Sequence, residues 1–320
     1  MDHHLVPQFY LRGFRDVTLP ERQGPHVWVA HLAHKTIGLR SPKGLAQKKD
    51  YYAVKSPNGE VEHHRIETGP LQLIDNAAAR VFGDVQAGHY VLDADRRSCL
   101  SLFMAFLVTR LPTFRSAVEA FAGEAAAAMM KIAAMHPAHF ERVLREKAVL
   151  TDANAAEIEE VRQSFLEPGT YSFRGTPEMS LAQMLGVAFG LSNVMSKMSW
   201  VFLQAPSGAR FVTGDTPIHW DDAKAPPPWN VGLGNRGTVL SFPMTPALCL
   251  MASWHRTLPP FQEAPQHVVD TFNHRTVQFA EHHVYAASRS DAETALAVRD
   301  ALKATGERLG PRAPDLRVLT

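Results

Sequence analysis

CLSLFMAFLVTR, residues 99–110, is apolar on nearly every side of a helical wheel, and a helix of that kind belongs in a core. Its uninterrupted apolar run, Cys99 to Val108, falls far short of the ~20 residues needed to span a bilayer. Asp95 stands where it can cap the helix, and Pro112 should kink or restart it, because proline lacks an N–H and clashes with the preceding turn. Downstream, AFAGEAAAAMMKIAAM (residues 120–135) is strongly helical through its alanine content. Amphipathic stretches follow over about 137–148 and 152–166, and another helix over about 178–198. Upstream, Ile66, Leu73, Ile74, Ala77, Ala78 and Val81 recur at helical spacing.

Both flanks of this helical middle read as strands. HVWVAHL (26–32) and KTIGLR (35–40) form a strand pair rich in β-branched and aromatic residues. Residues 41–65 read as loop. After residue 198 come WVFLQA, ARFVTG, TVLSFPM, ALCLMAS and HVYAAS, with a helix over VVDTFNHRTVQFAEH (268–282) before the last strand. The fold class is α+β: a predominantly helical core with a small, mostly antiparallel sheet built from N-terminal and C-terminal strands. One domain is expected over 1–305, helical over about 66–198 and β-rich over about 26–40 and 200–290, with 306–320 a loosely held tail.

The 33 basic and 32 acidic side chains nearly cancel, and no Lys/Arg block offers a broad surface for nucleic acid. Cys99 and Cys249 lie far apart and make neither a disulfide framework nor a CxxC site. No signal peptide or membrane segment is apparent, so a cytoplasmic protein is expected. No Walker loop, GxGxxG or GxSxG occurs.

The chemistry-bearing residues cluster at the start of the chain, in DHHLVPQFYLRGF (2–14). Pro7 suits the first position of a short helix ending near Gly13, and Leu5 is placed to staple against Tyr10. Gln8 and Arg12, four apart, share one face of that helix. Adjacent histidines point in different directions, to opposite faces of a strand or about 100° apart on a helix. His3 and His4 therefore do not form a ligand pair by adjacency alone, and the pairs His63-His64 and His282-His283 read as surface or structural. Farther on, a strand delivers Asp215 into a Gly-Asp-Thr-Pro turn, as a metal ligand or catalytic acid or as an Asx-turn acceptor for its own backbone, with His219 four residues on. Arg110 ends the apolar helix and needs a partner, either Glu67 or Asp75 or a substrate phosphate or carboxylate. Asn273 sits in the late helix.

In the order HHLVPQFYLRGF, HVWVAHL, KKDYY, IETGPLQLIDNAAARV, TRLPTFR, RFVTGDTPIHW, LSFPMTP and FNHRTVQFAEHHVYA, these segments resemble a bacterial family, domain-of-unknown-function family 4238, over most of the chain. One departure is Asp75, where the longer Glu is expected. The resemblance implies no activity; it implies that His3, His4, Pro7, Gln8, Arg110, Asp215 and Asn273 fall in motif segments.

Three functional expectations follow. The first is a metal-dependent hydrolase of phosphodiester, nuclease-like type. His3, His4 and Asp215 would hold a divalent metal ion, with His4, Asp215 and Arg110 catalytic and Gln8, Arg12 and Asn273 binding substrate. The second is a non-catalytic binding or effector module, of the kind found in bacterial stress or phage defence. A metal-free acid/base enzyme using His4 and Gln8 is a third. Substrate, metal identity and oligomeric state are not legible in the residues.

Overall fold

The computed structural model describes residues 2–55, 58, 60–146, 153–167, 169–222, 232–255, 258–307 and 309–310. In chain order the elements are β1 (Asp2–His4), α1 (Gln8–Arg12), β2 (Val27–His31), β3 (Thr36–Arg40), β4 (Gln47–Lys49), β5 (Val54–Lys55) and β6 (Val61–Glu62). Helices follow: α2 (Gln72–Gln86), α3 (Ala94–Thr109), α4 (Pro112–Ala134), α5 (Pro137–Glu146), α6 (Ala155–Leu166) and α7 (Pro177–Lys197). The last part holds β7 (Ser199–Gln204), β8 (Thr213–Gly214), β9 (His219–Asp221), β10 (Val239–Thr245), β11 (Leu248–Ser253), β12 (Phe261–Glu263), α8 (Gln266–Phe279), β13 (His283–Ala286) and α9 (Arg289–Ala304). The fold class is α+β.

N-terminal and C-terminal strands share a four-stranded sheet ordered β3-β2-β13-β8, while C-terminal strands alone build a five-stranded sheet ordered β12-β7-β11-β10-β9. Pairing is antiparallel except between β12 and β7. The loop reading of residues 41–65 missed short strands. β4 pairs with β1 in register His3↔Lys48 and His4↔Gln47, and β5 pairs with β6. Two- and three-residue strands leave too little alternation to be read. The strand expected over 209–214 shrinks to Thr213–Gly214.

Contacts sort the chain into two compact units, Met1–Phe114 with Met184–Thr320, and Arg115–Gln183. In the first, α3 is buried from Leu100 onward, with Leu100, Phe103, Met104, Phe106 and Leu107 at 0–1% exposure. Asp93, not Asp95, caps it, accepting from the Arg96 N–H at 2.8 Å, because the helix starts at Ala94. Asp95 falls inside the first turn, where its charge still favours the helix dipole. Pro112 opens a new helix, as expected. An aromatic nest surrounds α1: Tyr10 stacks on Phe242 at 5.4 Å, and Phe82 meets both rings edge-on. Such pairs contribute about 0.5–1.5 kcal/mol each beyond area burial. Pro7 sits one place earlier than expected, as N-cap, and no side chain caps α1.

In the second unit, Ala133, Ala134, Phe140, Leu144 and Ile158 form the core, and Asn154 with Glu157 makes a capping box at the start of α6. Residues 147–152, which include the end of the expected helix 137–148 and the start of 152–166, lie outside the described residues. Among the described residues α7 is the one helix long and apolar enough to cross a membrane, with 33% of its apolar window buried.

Candidate functional site

Strand geometry sends His3 and His4 to opposite faces of the β1–β4 ribbon. His3 is fully buried. Its Nδ1 accepts the Tyr52 backbone N–H at 2.8 Å, and its ring stacks on Tyr52 at 5.3 Å. A nitrogen that accepts carries no hydrogen, so the hydrogen-bond network assigns the His3 proton to Nε2. That N–H is buried and unpaired, with Glu67 Oε2 at 3.9 Å, too far for a hydrogen bond.

His4 has the opposite tautomer. Gln8 Oε1 accepts from Arg12 at 3.1 Å, which turns the Gln8 amide nitrogen toward His4 Nε2 at 2.9 Å. Gln47 Nε2 donates to the Lys43 carbonyl at 2.9 Å and lies 2.8 Å from the same His4 nitrogen. Two amide donors at these distances outweigh the Lys43 carbonyl, 3.3 Å from Nε2, so Nε2 accepts and Nδ1 carries the hydrogen. That Nδ1–H faces Glu67 Oε1 at 3.5 Å, while the His4 backbone N–H donates to the same oxygen at 2.9 Å. Glu67 thus holds the His4 backbone, with the His4 and His3 rings 3.5 and 3.9 Å from its carboxylate oxygens. Glu67 begins a single π turn, Glu67–Leu71, in which the Leu71 N–H reaches back to the Ile66 carbonyl. Such turns are frequent at functional sites.

Beneath Tyr52 lies Arg110, with 1% of its side chain exposed. It donates to Asp75 at 2.9 and 3.4 Å and to the Phe106 carbonyl at 3.1 Å. Of the partners open in the sequence, the structure supplies Asp75, whose shorter side chain still reaches. Burial alone pulls the Arg110 pKa down, but the Asp75 charge, with Tyr52 and Glu67, outweighs this and raises it. Burial likewise drives the Tyr52 phenol up, against the pull of Arg110.

Asp215 does not make the Asx-turn that was one of its sequence readings. Its carboxylate accepts the backbone N–H groups of Glu281, His282 and His283 at 2.7–2.9 Å. It caps the start of β13, a segment distant in sequence, instead of its own turn. His283 Nδ1 lies 3.8 Å away, and the His31 ring is 4.7 Å from that of His283. Burial, then His283, His34 and His282, lowers the His31 pKa.

A cavity of about 440 Å³ opens between the β1–β4 ribbon and this corner. Leu5, Ala46, Gln47 and Lys48 line one side, and Asp215, His282, His283 and Tyr285 the other. Leu5 therefore faces the cavity, and the hydroxyl of Tyr10, its expected staple partner, donates to the Pro243 carbonyl and accepts from Thr213 Oγ1, each at 2.6 Å. Ala46 adopts φ 49°, a left-handed conformation uncommon for a residue with a Cβ. Tyr285 is fully buried and its hydroxyl has no partner.

The structure links His4, Gln8 and Arg12 by hydrogen bonds and sets His3 and Arg110 beside them. Asp215 joins only through the cavity, across from Gln47. Asn273 serves elsewhere: its amide accepts the Val212 N–H at 2.9 Å and donates to the Arg210 carbonyl at 2.8 Å, fastening the approach to β8. His219 is buried with an unpaired Nε2, and its pKa is lowered to about 3, mainly by burial and then by Arg275. Among the described residues no group of three or more His, Cys, Asp or Glu side chains is arranged to hold a metal ion. Sequence reading missed Gln47, Tyr52 and Tyr285, and it linked Glu67 only to Arg110. The KKDYY segment was the available signal.

A search of the curated proteins and of the solved structures finds no match to the chain. The family model of proteins of unknown function DUF4238 matches residues 2–290, nearly the whole chain, and the chain belongs to that family.

Proposed function

We propose that this protein binds a small organic ligand in the cavity beside the β1–β4 ribbon, with the N-terminal histidines holding the cavity wall. The observation that carries this reading is a cavity of about 440 Å³ whose lining combines Leu5, Leu45, Leu111 and Pro112 with Gln47, Lys48 and Asp215. The volume falls in the range of small-molecule sites, which combine apolar walls with a few convergent polar groups. The commitments of the other polar groups support the same reading. His3 Nδ1, His4 Nε2 and both Asp215 oxygens already accept hydrogen bonds from the chain.

The test is ligand retention. The protein and its Leu45→Trp variant, which fills the cavity from one wall, are incubated with a small-molecule extract, desalted, denatured and analysed by mass spectrometry. A compound released by the wild type and absent from a folded Leu45→Trp variant is the expected result. Identical profiles overturn the reading.

Metal-dependent phosphodiester hydrolysis is a second reading, favoured by Gln47, which bonds His4, lining the same cavity as Asp215. His3 or His4 with Asp215 would hold the cation, and Arg12 and Arg110 would neutralise phosphate. Stoichiometric magnesium, manganese or zinc in the purified protein, lost in Asp215→Ala, is the result it requires.

A further inference from the structure

Helix α4 uses only one of its faces inside its own unit. Gly123, Ala133 and Ala134 are buried, the first against the Phe173 backbone and the other two in the core with Phe140 and Ile158. On the other face Phe121, Ala125, Ala128, Ile132 and Met135 are exposed, Phe121 at 44%, Ile132 at 61% and Met135 at 57%. A helix face left in water is normally polar. These five residues step 4-3-4-3 along the chain, which is the a/d repeat of a coiled-coil seam.

The flanking charges indicate what covers the seam. Glu124 and Lys131 both fall at the g position, one residue before an a position. Both are exposed, and among the described residues neither makes an ion pair. Seven residues apart on one helix, they are separated by about 10.5 Å and cannot meet each other. In a second copy running antiparallel they can, because a two-fold axis across the seam sets g against g. The register that brings Glu124 to Lys131 of the second copy also sets Ala125 against Ala128 and Ile132 against Phe121. Small residues then let the helices approach at the centre, and a large apolar pair closes each end. A parallel partner would instead set Glu124 against Met129 and Lys131 against His136, leaving both charges unpaired.

We propose that α4 is a self-association surface, forming an antiparallel two-helix seam with a second copy of this chain, its register fixed by reciprocal Glu124–Lys131 pairs. The seam is short, so the dimer is weak and reversible.

Sedimentation velocity of the full chain at about 5–500 µM tests this, with the folding of every variant checked by circular dichroism. The wild type is expected to pass from monomer to dimer as concentration rises, and Ile132→Glu should remove the dimer across the range. Glu124→Lys and Lys131→Glu should each weaken it about tenfold, by setting like charges against each other, and the double swap should recover it to within about threefold of the wild type. A wild type that stays monomeric, or a dimer that survives Ile132→Glu, overturns the proposal. Binding of that monomer to lipid vesicles, lost in Ile132→Glu, would assign the face to a membrane instead. A double swap no better than either single variant overturns the register, and with it the antiparallel second copy.

Discussion

Single residues in this protein act through their buried partners, and His219 shows this most sharply. Its folded pKa of about 3 lies well below the ordinary imidazole value of 6.5. The unfolded chain therefore binds a proton that the folded chain refuses. The stability contribution is complete above pH 6.5 and is lost progressively as the pH falls toward 3. The slope is about 1.4 kcal/mol per pH unit, so the loss reaches about 2 kcal/mol at pH 5. Urea unfolding of wild type and His219→Gln between pH 7.5 and 5 measures it. The gap between the two should narrow on acidification; a gap independent of pH would mean that His219 takes up its proton while folded. The identity of His219 was plain in the sequence, but its burial was not, since burial depends on α8 packing over β9.

At the scale of elements, the candidate catalytic acid behaves as a fastener. Asp215 joins the turn after β8 to the start of β13, through three hydrogen bonds spanning 66–68 residues of chain. Asp215→Asn places an amide nitrogen where backbone donors converge, and it should destabilise the protein by about 2 kcal/mol, read as a lower urea midpoint. An unchanged midpoint would favour a ligand role over a structural one. Within Arg115–Gln183, α4 makes a second test. A Cβ on Gly123 would stand 2.1 Å from the Phe173 carbonyl oxygen. Gly123→Ala should therefore destabilise by about 1–3 kcal/mol through overpacking, despite the ~1 kcal/mol that alanine contributes to a helix. Gly83→Ala, in α2 with open space around it, should stabilise instead. Thermal melts of both variants settle the sign.

The long elements were legible because their side-chain pattern repeats often enough to be read. CLSLFMAFLVTR declared a buried helix, and β2, β3, β7, β10 and β11 declared strands. α9 was overlooked, since its buried face is mostly small residues, Ala292 and Ala295 with Arg299 and Leu302, and alanine marks no apolar stripe. The short strands β1 and β4 escaped for want of length, and with them the setting of the candidate site.

Across the whole molecule, sequence and structure diverge where distant segments meet. The four-stranded sheet joins the first forty residues to residues 283–286, as the α+β reading anticipated. The cavity brings β4, Asp215 and Tyr285 together from three parts of the chain, and no local spacing announces that. The expected tail, 306–320, falls mostly outside the described residues; of its described part, the Gly310 N–H donates to the Gln278 carbonyl at 2.9 Å. The opening histidines were legible as a motif, and only the ribbon shows that their ring nitrogens turn inward.

The central claim is that the ring nitrogens of His3 and His4 are committed to hydrogen bonds within the chain. Long-range ¹H–¹⁵N spectra of the protein labelled at histidine report directly which ring nitrogen carries hydrogen. The expected result is Nε2–H for His3 and Nδ1–H for His4, both unmoved by added zinc, manganese or magnesium. Zinc-induced shifts at either ring, or the reverse tautomers, would contradict it.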